Sequence, residues 1–408
     1  MNGNIVRVAL CFFLLTAVSG ARAPASAQTL ALVGGSVYAS PDAAPLPDAV
    51  VLSANGVITS VGSRSEVQIP SDARLIDCAG KTVVAGFWNS HVHFSQAVWK
   101  NAGSAPAAPL AEHMQAMLTR WGFTTVWDLG SDGRDTLPLR RRVDSGEVPG
   151  PAIHMAGSIF PKDGHPAYLP AEIKLPEAST PEEATQLART YMGFGLDGVK
   201  LFTGSFKGTD KPVVNMDPAI AKAAVDVGHA AGKPVFAHPQ NMAGVDAVIT
   251  AGVDIMAHTV PGEPAYSPEQ LARFKQQGIA LVPTLSLFAK LPVAPDIATR
   301  LVATTVNQVK AFSDNGGPVL FGTDVGFTAY YDTTLEYELM HRVLSARQIL
   351  ASLTTSPAQY FKAAKKGRVE KDFDADVVVL DGDPTADVTN LAKVVYTIRA
   401  GKVIYQKP

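Results

Sequence analysis

Cysteine is nearly absent from this chain, and its scarcity excludes a fold held together by several disulfides. Only Cys11 and Cys78 occur in 408 residues. Cys11 lies in an N-terminal segment that we expect to be removed, which leaves Cys78 alone in the mature chain. A single cysteine cannot form an intrachain disulfide, so stability must come from the packed core and from any bound metal.

Charge is also scarce, and the two signs are balanced. Charged residues make up 18% of the sequence, and the formal net charge is −2. Because the sequence offers no polybasic face, we expect neither a nucleic-acid partner nor binding to an anionic membrane surface. With 47% hydrophobic residues, the chain can bury one large core and a smaller second one.

The apolar run near the N-terminus is too short to span a bilayer. It extends from Val8 to Val18, with Arg7 before it and the small residues Ala25-Ser26-Ala27 after it. This order predicts a cleavable signal peptide over residues 1–27 and a periplasmic or secreted protein without a membrane association after cleavage. An uncleaved membrane anchor is the alternative.

Two histidines one residue apart follow a strand-like stretch in the first quarter of the chain. The run 81–86 leads into Phe87-Trp88-Asn89-Ser90-His91-Val92-His93-Phe94. Residues i and i+2 of a strand project from the same face, so the imidazoles of His91 and His93 can bind one metal ion. Packed or surface histidine pairs are equally common, so the interpretation depends on residues later in the chain.

Short strand-like segments separated by turn residues occupy both ends of the chain. They cover residues 30–84, where Asn55-Gly56 predicts a hairpin turn, and they return after residue 361. A three-strand tail cannot bury its own face. We therefore expect residues 28–85 and 366–408 to form one small composite β-sandwich domain.

Strands alternate with helices between these two ends. Eight strand–helix units over roughly 265 residues fit an α/β fold of the (β/α)₈ TIM-barrel type, whose usual size is about 250 residues. A doubly wound sheet is the alternative, but the even spacing favours a closed barrel. Residues 86–365 are thus predicted to form a barrel inserted into the small β-sandwich domain.

Six polar residues fall at the predicted carboxyl ends of the barrel strands, which meet at one mouth of a closed barrel. They are His91, His93, Lys200, His238, His258 and Asp324. Each has an ordinary structural role available, such as a helix N-cap for Asp324. Four of the nine histidines of the chain belong to this set. Six such residues at one mouth predict a metal site.

The stretches around these residues resemble the amidohydrolase superfamily, in the branch that binds two metals through a carbamylated lysine. The similarity lies in residues 86–93, 198–202, 235–238, 255–258, 322–324 and the tail 374–384. Within the superfamily, the sequence is most similar to the prolidase-like and ochratoxinase-like amidases. The resemblance implies a metal-dependent hydrolase that cleaves the C–N amide bond of a dipeptide or an N-acyl amino acid.

The resemblance also implies roles for the six residues. His91, His93 and Asp324 would bind one divalent ion, the two later histidines would bind the other, and a carbamate formed from CO₂ on Lys200 would bridge them. Imidazole and carboxylate ligands suit zinc, with manganese or cobalt as alternatives. A hydroxide shared by the metals would attack the carbonyl carbon, and Asp324 would carry the proton to the leaving amine.

Two departures from related patterns affect this interpretation. Mononuclear deaminases have a glutamate just after the histidine that corresponds to His238, but this chain continues with Pro239-Gln240-Asn241, which disfavours deamination. Asn89 stands where many relatives carry an acid, which changes the surroundings of the metal ligands.

Loops after the barrel strands supply the candidate substrate contacts. His165 resembles a substrate-contact loop of the prolidase-like group and is assigned a catalytic and substrate-binding role, with a structural loop histidine as the alternative. Tyr168 and Tyr330 are candidate walls of the pocket. The expected partner is a small molecule, and a homo-oligomer fits the family.

Two other functions remain open at this point. The same site could hydrolyse a cyclic amide, a lactone, a carbamate or a phosphotriester. A catalytically silent binding protein on this fold is the third hypothesis, which the complete set of ligands disfavours.

Overall fold

The valine-rich strands at the start of the chain lie next to the strands at its end. The computed structural model describes residues 29–408, so the predicted signal peptide falls outside the described residues. The first strands are β1 (Leu30–Val37), β2 (Leu46–Ala54), β3 (Val57–Ser63), β4 (Arg74–Asp77) and β5 (Thr82–Ala85). Asn55 and Gly56 have φ angles of 54° and 80° and connect β2 to β3 in the hairpin that this dipeptide predicts.

A second group of strands follows in the middle of the chain, mostly buried and parallel apart from one short antiparallel pair. They are β6 (Phe87–Val92), β7 (Phe123–Leu129), β8 (Ala152–Pro161), β9 (Glu177–Ala178), β10 (Gly198–Phe202), β11 (Gly204–Ser205), β12 (Val214–Asn215), β13 (Val235–His238), β14 (Ile255–Ala257) and β15 (Ala280–Val282). One sheet contains β6, β7, β8, β10, β13, β14 and β15 in that spatial order, with β9 beside β8. Burial on both faces is expected where helices cover a parallel sheet.

An extended segment over residues 318–325 closes the barrel in place of a regular eighth strand. It forms isolated parallel bridges to β15 on one side and to β6 on the other. The N–H of Ser90 donates to the carbonyl of Phe321 at 2.7 Å, and the N–H of Asp324 donates to the carbonyl of His91 at 2.9 Å. The predicted (β/α)₈ barrel is confirmed, and its eighth strand is irregular.

Helices surround the barrel. They are α1 (Ala107–Met117), α2 (Gly133–Asp144), α3 (Pro181–Gly193), α4 (Pro218–Ala230), α5 (Met242–Ala251), α6 (Pro268–Gln277), α7 (Leu285–Ala289), α8 (Pro295–Asp314), α9 (Thr334–His341), α10 (Ala346–Leu353) and α11 (Thr355–Tyr360). Thr180 caps α3 by accepting from the N–H of Glu183, and Ser267 forms a capping box with Gln270 at the start of α6. Between residues 29 and 408, no helix is both long and apolar enough to cross a membrane.

The last strands complete the sheet that the first strands begin. They are β16 (Val377–Leu380), β17 (Val394–Arg399) and β18 (Lys402–Gln406). The spatial order is β18-β17-β16-β5-β1-β2-β3, with β4 also paired to β1. Ile58, Val83 and Val377 belong to a core cluster separate from that of the barrel. The chain ends thus build the extra sheet, whereas the exact domain limits stay predictions.

Candidate active site

Three of the predicted ligands meet where β6 faces the closing segment. Nε2 of His93 lies 2.9 Å from Oδ1 of Asp324, and Nε2 of His91 lies 3.4 Å from the same oxygen. One ligand atom from each residue lies within 4.8 Å of the others. Asp324 has a φ of 58°, in the left-handed region that aspartate tolerates better than most residues. These three residues form a candidate metal site.

The other three candidates lie beside this group. The ring centroids of His238 and His258 are 4.5 Å apart, and the ring of His258 stacks on that of His91 at 5.8 Å. Lys200 is 1% exposed, and its Nζ donates to the carbonyl of Ala257 at 2.8 Å. The structure therefore brings all six side chains into one cluster at the barrel mouth, buried except for the partly exposed His93, while their roles as ligands stay predictions.

Burial favours the uncharged forms of the basic side chains. Desolvation lowers the pKa of His91 and of His238 well below the usual value, and it lowers the pKa of His258 to about 4. The same cause lowers the pKa of Lys200 to about 7. Near neutral pH the imidazoles are neutral, which is the form that binds metals, and a substantial fraction of the lysine is a free amine.

The Asp324 carboxyl is held in its ionised form. Burial would raise its pKa, but the adjacent His91 and His93 outweigh burial and keep the pKa below the usual range. Among the described residues, Oδ1 has no well-formed hydrogen bond, although two imidazole nitrogens face it. Nitrogen and oxygen lone pairs that face each other in this way are satisfied by a cation placed between them. The donor set fits a divalent metal.

Two further polar residues near the cluster were not singled out in the sequence. Asp128, near the end of β7, is 0% exposed and accepts from Oγ of Ser131 at 2.6 Å. Burial raises its pKa, although the nearby His93 acts in the opposite direction. Oε1 of Gln240 lies 3.1 Å from Nε2 of His238. Both residues lie at or just beyond a strand end, so the rule that selected the six candidates also applies to them.

His165 lies in the loop after β8, as expected, and its ring contacts that loop. Its Nδ1 is 3.1 Å from the carbonyl oxygen of Pro166, and its Nε2 is 3.1 Å from that of Ile173. Both ring nitrogens are therefore close to backbone acceptors rather than to the buried cluster. The catalytic role of His165 stays a prediction.

The two candidate tyrosines lie on loops at the mouth. The ring of Tyr168 is 5.2 Å from that of Phe327. Burial raises the pKa of Tyr168, and the charge of Asp324 raises it further. The Nζ of Lys290 lies 4.4 Å from the ring centroid of Tyr330. This contact connects the loop before α8 to the loop before α9. Of these two tyrosines, Tyr168 is the one whose pKa is raised by the charge of a predicted metal ligand.

A family profile and several solved structures are similar to this chain. The profile of the amidohydrolase family matches residues 82–404. A solved structure from Bifidobacterium longum, provisionally described as a prolidase, is 25% identical with a TM-score of 0.79 over 93% of this chain and 95% of its own. A solved Xaa-Pro dipeptidase with bound methionine in the active site is 22% identical with a TM-score of 0.79, over 93% and 100% of the two chains.

A curated relative matches a shorter stretch. An uncharacterized protein of Mycobacterium bovis is 33% identical over 119 residues, which cover 27% of this chain and 31% of that protein. The match therefore spans about a third of the relative's length.

Proposed function

Because this chain belongs to the amidohydrolase family, we propose that it cleaves a C–N amide bond of the dipeptide or N-acyl amino acid type in a metal-dependent reaction. The observation that carries the proposal is the close approach of two imidazole nitrogens to one carboxylate oxygen at the barrel mouth. The likeness to the Bifidobacterium longum protein supports an amide bond as the target.

We assign two divalent ions, with zinc as the first choice, to the buried cluster. His91, His93 and Asp324 would hold one ion, and His238 and His258 would hold the other. An ammonium on Lys200 would repel two cations, whereas a carbamate there would offer two anionic oxygens. The amine nitrogen forms this carbamate by bonding to the carbon of CO₂ and losing a proton. The low pKa of Lys200 supports the assignment because the neutral amine is the reactive form.

Two bound ions would lower the pKa of a shared water and polarise the substrate carbonyl. Asp324 is 5% exposed and ionised, so it can accept a proton from an oxygen near the two histidines and release it to the leaving amine. Burial keeps the His91 imidazole neutral by lowering its pKa, which leaves that carboxylate free to act as the base. Exclusion of bulk water strengthens each of these electrostatic interactions.

The location of the protein is part of the same proposal. We infer that residues 1–27 direct export to the periplasm or the medium and are then removed. N-terminal sequencing of the protein from its host is expected to begin at Gln28, and retention of Met1 would contradict export by cleavage.

A hydrolysis screen tests the proposed reaction. The protein would be loaded with zinc and bicarbonate and given dipeptides, N-acyl amino acids, cyclic amides, lactones, carbamates and phosphotriesters. We expect the highest kcat/KM on a linear amide and two equivalents of metal per chain. Fewer than one equivalent of metal, or no amide hydrolysis, would contradict the proposal. A higher kcat/KM on another bond would favour the alternative substrates.

A further inference from the structure

Two aromatic side chains from distant loops meet at the barrel mouth. Tyr168 lies between β8 and α3, and Phe327 follows Asp324 by three residues. Their ring centroids are 5.2 Å apart and their planes are inclined by 72°, which is a favoured edge-to-face arrangement. Tyr168 keeps 40% of its surface exposed and Phe327 keeps 41%. The pair is ordered by mutual packing, yet it presents apolar surface to an entering molecule.

This pair lies next to the candidate metal ligands. Burial raises the pKa of the Tyr168 hydroxyl, and the charge of Asp324 raises it further. Phe327 follows Gly326, whose φ is 98° and whose missing Cβ would stand 1.8 Å from the carbonyl oxygen of His93. The Phe327 loop is therefore in direct contact with the segment that carries a predicted ligand.

Other mouth loops also expose large apolar side chains. Ile173, in the loop of Tyr168, is 44% exposed, and Val293, just before α8, is 41% exposed. Ile297, in the first turn of α8, is 39% exposed. Exposed apolar surface beside a binding site favours contact with an apolar group.

The same loops lack the side chain that best recognises a carboxylate. None of the loops between a barrel strand and the next helix contains an arginine. Arg134, in the first turn of α2, pairs with Asp132 and has 89% of its side chain exposed. The lysines of these loops are Lys100, Lys162, Lys174, Lys207 and Lys211, and all of them except Lys207 are exposed. Guanidinium is the group that binds carboxylates in a bidentate manner.

We propose that Tyr168 and Phe327 form an aromatic gate that selects amides carrying an uncharged aromatic or alkyl group at the mouth and disfavours those with a free carboxylate there. The inference rests on the proposed function: it keeps the metal-dependent cleavage of an amide bond, and it moves the preferred substrates from dipeptides and N-acyl amino acids, which carry a free carboxylate, to capped amides and anilides. An apolar group gains from burial against the two rings. A carboxylate in the same place loses hydration and finds no guanidinium.

A matched pair of substrates tests the aromatic gate. The anilide of phenylacetic acid and its analogue with a carboxylate at position 4 of the anilide ring share the scissile amide and differ in one charge. On the zinc-loaded protein we expect kcat/KM to be about tenfold higher for the neutral compound. Tyr168→Ala and Phe327→Ala should each raise KM for the neutral compound about five- to tenfold, with a smaller change in kcat and in the charged compound. Tyr168→Phe keeps the ring and should keep the preference.

Controls separate the aromatic gate from general damage. Phe194→Ala removes an aromatic side chain that is 68% exposed at the end of α3, and it should leave both KM values unchanged. Thermal melting verifies that each variant is folded. We expect all of them to fold because the gate residues lie at exposed loop positions.

The hydrolysis screen tests the proposed function. The affinities of the two compounds, measured by calorimetry, test the aromatic gate whether or not either compound is hydrolysed. Tighter binding of the neutral compound, lost in Tyr168→Ala, supports the gate. Equal affinities, or a preference for the carboxylate, overturn the gate even if hydrolysis is observed.

Discussion

The side-chain amide of Asn89 donates a 2.8 Å hydrogen bond to Oγ1 of Thr323 and so joins β6 to the segment that closes the barrel. Its oxygen accepts from the N–H groups of Thr323 and His91, both at 3.2 Å. Asn89 is 0% exposed. One neutral side chain therefore fixes the spacing between His91 and Asp324.

Replacing Asn89 by alanine removes all three bonds and leaves buried donors without partners. We expect the free energy of unfolding to fall by about 1–3 kcal/mol and the metal affinity to fall as well. Urea denaturation and a competitive zinc titration measure the two effects. Asn215→Ala, at an exposed position of β12, should change the unfolding free energy by less than about 0.5 kcal/mol. Unchanged zinc affinity in Asn89→Ala would show that the bridge does not support the site.

Replacing Lys200 by alanine removes the nitrogen that would carry the bridging carbamate. Activity should fall by a factor of about 10² or more. Loss of a residue that only hydrogen-bonds to a metal ligand already lowers metal affinity or activity by about 10–100-fold. Elemental analysis should show less bound metal, and formate or acetate should restore part of the activity. Lys222→Ala, an exposed lysine paired with Asp226 on α4, serves as the control. A Lys200→Ala protein with full activity and two metal equivalents would refute the bridging role.

Replacing Gly326 by alanine places a Cβ 1.8 Å from the carbonyl oxygen of His93, at a φ of 98°. The loop must move, so we expect a loss of about 2–4 kcal/mol in unfolding free energy together with weaker metal binding. Gly232→Ala has a φ of 65° and no atom within 4 Å of the new Cβ. It should cost only about 1 kcal/mol and leave metal binding intact. Similar metal affinities in the two variants would show that the contact between Gly326 and the backbone of His93 does not support metal binding.

Glu336 links stability to pH. It is 0% exposed, and its carboxyl accepts from the N–H groups of Leu285 and Ser286 at 2.9 and 2.6 Å. Burial raises its pKa from 4.5 to about 7, although the two N–H donors act in the opposite direction. The folded state thus keeps a proton that the unfolded state releases. The stability from this group is complete below pH 4.5 and is lost as the pH rises to about 7.

The Glu336→Gln variant isolates this effect because the amide does not ionise. As the pH rises from 4.5 to 7.5, the natural protein should lose stability relative to the variant. The expected loss in its unfolding free energy is up to about 3 kcal/mol. Urea denaturation at several pH values measures it. Glu338→Gln, at an exposed position on the same helix, serves as the matched control. A pH-independent difference for Glu336→Gln would mean that folding does not raise the pKa of this carboxyl.

The barrel and its buried cluster could be predicted because both depend on local pattern. Valine-rich runs that end in histidine or aspartate predict strands, and closure of the barrel brings their ends together. The alternation of strand and helix supplied the topology without any knowledge of contacts.

Other features depend on contacts that no local pattern records. Asn89 and Thr323 are 234 positions apart, and their bond replaces regular strand pairing in the closing segment. The positive φ of Asp324 is likewise imposed by the tertiary structure. The approach of Tyr168 to Phe327 and the position of His165 against its own loop follow from the paths of long loops, which sequence periodicity does not specify.

The pairing of β5 with β16 has a consequence for the order in which the protein can assemble. Val84 lies opposite Val378, so β5 has an unpaired edge until nearly the whole polypeptide has been synthesised. The terminal sheet must therefore be completed last, after the barrel strands are available, and its long-range pairing makes this step slow. A polypeptide that stops before β16 would expose that edge together with buried valines, and such incomplete products are expected to aggregate.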